Sequence, residues 1–424
     1  MSYESKTIKE NIELHLIKTD KFKTNLIAVF LTTPLLRENV TAKTLIPAVL
    51  KRGTNIFKTQ EKINIKLEEM YGAEFGCGIE KIGDNHVMKF YIETLNDNFI
   101  SSSGNILKEG VELLLDIIFN PFLENNKFKE EYVSSEKNNI RQLIEAKIDN
   151  KATYSLTRCT EEMYKGKAYG LYKYGYIEDI PSITSENLYD LYNRVIDEAK
   201  IDIFISGDVE KKETWEIIIE NENICKLEER EDAVIVNNEE TEKKEKIQTK
   251  EVFEKMDVGQ GKLVLGLDIH LNEKDAKFPI SIYNVILGES ATSKLFSNVR
   301  EKNSLAYTIR SNYVRQKNNI YIKAGIEIGN YEMAIKIIKE QLEDMKKGQF
   351  GENELNDAKK YMISGINSLQ DEQDSEITYY IGQVLSGSLT TFPEYEERIN
   401  LVTKEQVERV ANAIDINTIY FLRN

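Results

Sequence analysis

Residues 182–209, SITSENLYDLYNRVIDEAKIDIFISGDV, share a layout with residues 400–424, NLVTKEQVERVANAIDINTIYFLRN. Each stretch opens on a threonine suited to cap a helix, Thr184 and Thr403, with an acid two residues on, Glu186 and Glu405. Each then runs through helical spacing into an alternating apolar strand. The offset is 403 − 184 = 219 residues. One T-x-E match is common by chance, so the weight falls on the elements around it. In the first half, the strand-like runs IELHLIKT (12–19) and NLIAVFLTTPL (25–35) precede the helical TAKTLIPAVLKRG (41–53), and a hairpin follows that turns at IGDN (82–85). Two long helical stretches, 106–122 and 126–150, come next. In the second half the strand GKLVLGLDIHL (261–271) precedes a helix in 291–307 and a hairpin turning at QKNN (316–319). The expected fold is α+β: two homologous α/β halves of about 200 residues, each an antiparallel-rich sheet with helices packed on one face, closed as a clamshell. The highly charged stretch 222–256 reads as a linker, so the expected division is 1–221, 222–256 and 257–424.

The chain has 424 residues, and 56 Lys+Arg against 71 Asp+Glu give a net charge of −15. Basic residues are interleaved with acids throughout, which argues against nucleic acid as a partner and against attraction to a membrane surface. No apolar run approaches the roughly 18 residues of a spanning helix, and the polar N-terminus MSYESKTIKENIEL has no signal-like apolar core. A cytoplasmic location is expected. Cys77, Cys159 and Cys225 are odd in number and widely separated, which suits structural thiols in a reducing compartment.

Three histidines allow metal chemistry to be audited residue by residue. His15 and His86 sit in alternating strand-like runs and His270 ends another. None has the helical spacing that places two imidazoles on one face for zinc. YGAEFGCG (71–78) is not a phosphate loop, and neither ILGESATSK (286–294) nor LSGSLTT (385–391) contains a G-x-S-x-G elbow.

The stretch SKLFSNVREKNSLAY (293–307) closely resembles the second-half signature of the pitrilysin/insulinase (inverzincin) metallopeptidases, in particular their processing-peptidase-like bacterial branch. VGQGKLVLGL (258–267), the end of the first half and TKEQVERVA (403–411) extend the resemblance over nearly the whole chain. In that family H-x-x-E-H on a helix precedes a Lys-Gly-Thr-like step, and a Glu on a later helix is the third zinc ligand. The corresponding step is Arg52-Gly53-Thr54, which puts the motif on Thr44, Pro47 and Ala48. The third ligand falls on Leu143 or its neighbour Gln142, with Glu145 out of register. None of these residues replaces the family's group, so the resemblance implies a degenerate, non-catalytic member that binds no cofactor.

The resemblance also implies what is retained. An Arg and a Tyr of the second half hold the substrate peptide in this family, and they match Arg300 and Tyr307. A chain with that pair and no zinc half-site is expected to be the substrate-binding or regulatory subunit of a heterodimer. Zinc is then held by a paralogous peptidase subunit, as in the paired bacterial members associated with peptide processing or with modification of translation elongation factor P. The alternative is a structural or peptide-binding scaffold of the same fold with no part in proteolysis.

Overall fold

In the computed structural model, residues 2–100, 104–228, 235–236, 248–271 and 276–424 are described. Elements are numbered along the chain, and contacts group them into two compact units. The first takes residues up to Glu145, Leu171–Val236 and Gln370–Leu385; the second takes Ala146–Gly170, residues 237–369 and Ser386–Asn424.

The first unit is built on a sheet of β1 (Ser2–Lys9), β2 (Ile12–Lys18), β3 (Thr24–Pro34), β4 (Glu74–Ile82), β5 (Asn85–Leu95) and, after the two-residue ladder of β6 (Leu123–Glu124) and β7 (Lys127–Phe128), β8 (Lys200–Gly207). Their spatial order is β1-β2-β8-β3-β5-β4. Alternation sorts the side chains into two faces. One row of the core face is Leu14, Ile203, Val29 and Phe90, each opposite the next in the ladders. Helices α1 (Val40–Leu50), α3 (Ile106–Phe119) and α6 (Ser185–Glu198) close over it with Leu45, Leu114 and Leu188, while α2 (Gln60–Glu69) and α4 (Glu130–Glu145) complete the layer. Burying each such leucine contributes about 1.5–3 kcal/mol, so one continuous apolar row sets the helix layer on this side. At Gly110 of α3 a Cβ would lie 2.8 Å from the Thr94 methyl, so glycine permits the close helix-to-sheet approach. Helices α7 (Lys211–Ile219) and α8 (Glu222–Lys226) pack against α3.

The second unit repeats this plan. Its strands β9 (Lys250–Lys255), β10 (Gly261–Ile269), β11 (Ala306–Val314), β12 (Asn319–Ile326) and β13 (Ile414–Arg423) run in the order β11-β12-β10-β13-β9. Read from the other end, β9-β13-β10-β12-β11 matches β2-β8-β3-β5-β4 strand for strand. The parallel pairs match too, β2 with β8 and β9 with β13. Helices α9 (Lys277–Asn284), α10 (Tyr331–Lys346), α11 (Glu352–Leu369), α13 (Phe392–Asn400) and α14 (Lys404–Asn412) belong to this unit. The helices that lead into β8 and β13 both start on capping boxes, Thr184 with Asn187 and Thr403 with Gln406. The reciprocating side chains are these amides three residues on, rather than Glu186 or Glu405.

Besides the helices on one face, each sheet carries a helix on the other, drawn from the opposite half of the sequence. Helix α12 (Gln373–Leu385) packs on β3 and β8 of the first unit, where the Gln373 amide donates to the Ser206 carbonyl at 2.8 Å and Tyr380 stacks on Tyr3 at 4.3 Å. Helix α5 (Lys151–Met163) packs on β10 and β13 of the second, with Cys159 buried beside Val264 and Tyr420. Glu254 of β9 fastens α5 by accepting from Tyr154 (2.5 Å) and Arg158 (3.1 Å). The compact units therefore differ from the expected division of the chain, because residues 146–170 and 370–385 pack with the other half's sheet. Within the expected linker 222–256, Ile224 of α8 is core and Lys250–Lys255 is a strand, while 229–234 and 237–247 lie outside the described residues.

Candidate functional site

Thr44, Pro47 and Ala48 all lie on α1, one helical turn apart, and α1 packs against α4, which bears Leu143. The spacing is right for ligands on one helix face, but the donors are missing. Pro47 sits inside the helix, where it has no N–H to give to the Lys43 carbonyl. Thr44 is 3% exposed, and its hydroxyl is shared between the Val40 carbonyl at 3.0 Å and the Lys173 carbonyl at 3.1 Å. Leu143 is 41% exposed, and Gln142 and Glu145 also face solvent. A zinc ion does not fit a set of one engaged hydroxyl, a proline, a methyl group and a leucine.

The loop after residue 170 is fastened over this helix instead. Tyr176 donates its backbone N–H to Thr41 Oγ1 at 2.9 Å, and that hydroxyl donates to Asp179 at 2.6 Å. Arg37 binds Asp179 at 2.6 Å and Glu178 at 3.1 Å. Gly175 has φ +82°, and a Cβ there would lie 2.0 Å from Thr41 Oγ1, so no other residue fits this turn. His86 of β5 reaches the same loop, with Nε2 2.9 Å from the Lys173 carbonyl. A carbonyl only accepts, so the proton is on Nε2. Burial pushes the His86 pKa down to about 4 and keeps the ring neutral.

Among the described residues, the group of three potential metal ligands is Glu13, His15 and Asp202. His15 donates from Nε2 to Asp202 at 3.0 Å and accepts from the Tyr3 hydroxyl at 2.8 Å. Lys200 forms an ion pair with Asp202 and lies 3.6 Å from Glu13, so an ammonium stands where a cation would bind. Burial alone would raise the Asp202 carboxyl. The charge of Lys200 and the hydrogen bond from His15 outweigh it and hold the pKa below the usual carboxylate range.

In the second unit, Arg300 lies in a π-helical stretch, Phe296–Lys302, and lines a cavity of about 600 Å³. Its guanidinium stacks over Phe296 at 4.7 Å and makes no ion pair among the described residues. Tyr307 is the extra residue of a β-bulge between Ala306 and Thr308, is 59% exposed, and donates to Glu327 at 3.2 Å. It does not line the cavity. Sequence reading passed over Arg310 and Lys323, which do line it. Their alternation within β11 and β12 was the available signal, but their juxtaposition depends on strand register.

Residues 182–362 match the family described as Peptidase M16 inactive domain. The probable inactive metalloprotease YmfF of Bacillus subtilis (strain 168) is 33% identical over 426 residues, covering 100% of this chain and 99% of that protein. The uncharacterized zinc protease YmxG of the same organism is 24% identical over 174 residues, 40% of this chain and 42% of that one. A conserved protein from Enterococcus faecalis V583 superimposes with a TM-score of 0.88 at 26% identity, covering 100% of this chain and 99% of that one. This chain belongs to the M16 (pitrilysin/insulinase) peptidase family, as an inactive, peptidase-like member.

Proposed function

We propose that this chain is the non-catalytic, substrate-binding subunit of a heterodimeric zinc metallopeptidase, working in the cytoplasm with a zinc-bearing paralogous subunit. Among the described residues no helix is long and apolar enough to cross a membrane. The observation that carries the reading is an asymmetry between the two units. The first has Thr44, Pro47 and Ala48 on its helix and a loop fastened over them, while the second keeps Arg300 unpaired at the wall of an open cavity. A guanidinium held by stacking on Phe296 and engaged in no ion pair among the described residues retains its rigid fork of donors for the carbonyls of a bound peptide. Tyr307, exposed on a bulge at the strand start, would give up its hydrogen bond to Glu327 to offer a directed hydroxyl to a peptide outside the cavity. Zinc and the water it activates then belong to the partner. Two relatives of this chain, one described as inactive and one as a zinc protease, occur together in Bacillus subtilis, which makes such a pairing reasonable.

The test is reconstitution with a zinc-bearing family member encoded in the same genome. The mixture should cleave peptides faster than the partner alone. Arg300→Ala should lower that rate at least about tenfold while the complex stays assembled. Equal rates with and without this chain would favour the scaffold reading.

A further inference from the structure

On the face of the second sheet that carries α5, Arg310 of β11 stands directly opposite Lys323 of β12. Like charges facing each other across a ladder repel and destabilise the pair. The adjacent ladder positions bring no opposite charge, and the acid within electrostatic reach of Arg310 is Glu289. The next row sets Thr308 opposite Gly325, and β10 brings Val264 beside Lys323 and Lys262 beside Gly325. Neither Arg310 nor Lys323 makes a side-chain hydrogen bond or ion pair among the described residues. Burial and the charge of Arg310 pull the Lys323 ammonium below its ordinary pKa. Glu289, the carboxylate that lines the cavity, is taken by the Asn284 amide at 2.6 Å, and burial raises its pKa. The cavity wall thus gathers four cations, Lys262, Arg300, Arg310 and Lys323, against one acid, Glu289. In a chain of net charge −15 this is the reverse of the overall balance.

Leu156 of α5, Phe296 and Ile309 supply an apolar part of the wall. Among the described residues β11 ends the sheet with no strand on its outer edge, where an extended chain can lie along it. A volume of about 600 Å³ accommodates a few peptide residues.

We infer that this cavity selects peptides in which an acidic side chain stands next to an apolar one, the carboxylate bridging Arg310 and Lys323 and the apolar group covering Phe296 and Leu156. The inference rests on the peptide-binding reading above and adds a substrate class to it. A carboxylate between the two cations turns a repulsive pair into two charge-assisted hydrogen bonds, which is where the discrimination arises.

Two fluorescein-labelled decapeptides that differ only in Glu-Phe against Gln-Phe, titrated into the full chain, test it. The Glu peptide should bind about tenfold more tightly, and added salt should reduce its advantage. In the double variant Arg310→Gln/Lys323→Gln the two peptides should bind within about twofold of each other, with the melting temperature at or above that of the parent because the repulsion is gone. If the parent binds both peptides equally, acidic selectivity is overturned and peptide binding stands. If it binds neither, the peptide-binding reading falls and takes this inference with it. If inorganic phosphate displaces the Glu peptide at the peptide's own concentration, the site takes small anions and acidic-peptide selection is overturned.

Discussion

Thr44 and His86 donate to one and the same acceptor, the carbonyl oxygen of Lys173, at 3.1 and 2.9 Å. Helix α1 and strand β5 thereby both hold the loop that carries Lys173. That shared acceptor is a backbone atom more than eighty positions from either residue. This arrangement makes the degenerate helix a structural element in its own right.

His86 should make the protein acid-sensitive. Its folded pKa of about 4 lies below the unfolded value of 6.5, so the unfolded chain takes up a proton first as pH falls. The contribution is complete above pH 6.5 and is lost as pH drops towards 4, amounting to up to about 3 kcal/mol. Glu376 acts in the opposite sense: burial raises its pKa to about 7, so its contribution is present below 4.5 and lost as pH rises to 7. Urea denaturation of parent and His86→Gln at pH 7.5 and 4.5 separates the two. The stability gap between parent and variant should narrow or reverse at the lower pH; an unchanged gap would show that His86 does not titrate as described.

Restoring the motif by Thr44→His/Pro47→Glu/Ala48→His should not produce a zinc enzyme. The position expected for the third ligand is still Leu143, and the Lys173 carbonyl remains fastened to the helix at residue 44. Metal analysis of the purified variant should find well below one zinc per chain, and peptide hydrolysis should stay at background. One tightly bound zinc per chain would mean that a nearby group replaces the ligand assigned to Leu143.

The pairing of Asp202 with Lys200 should be worth far more as a pair than either residue alone. Both are buried, and removing one partner leaves an uncompensated charge, a cost of about 3–5 kcal/mol. Asp202→Asn and Lys200→Met should each lower the melting temperature markedly, and the double variant should recover much of the loss. Additive losses in thermal denaturation would show that the two groups do not interact as an ion pair.

Much of the architecture was legible in the chain. Strand alternation and helical spacing exposed both halves, and Thr184 and Thr403 marked the helices that lead into β8 and β13, although their reciprocating partners are the amides of Asn187 and Gln406 and not the acids two residues on. Thr44, Pro47 and Ala48, expected on one helix from their spacing, do lie within one turn of α1.

What the chain did not disclose depends on contacts between residues far apart in sequence. The exchange of α5 and α12 between the two sheets follows from packing of Cys159 on Val264 and of Gln373 on Ser206, partners separated by more than a hundred residues. The linker reading of 222–256 failed at its ends for the same reason: Ile224 and strand β9 look solvated in composition and gain their places from distant apolar surfaces. The opposition of Arg310 to Lys323 required the register of a ladder. Periodicity and residue type determine local conformation and which donors exist. Only the tertiary structure decides which of them meet, because register, helix exchange and the capture of a loop carbonyl are settled by the burial of the whole sheet at once.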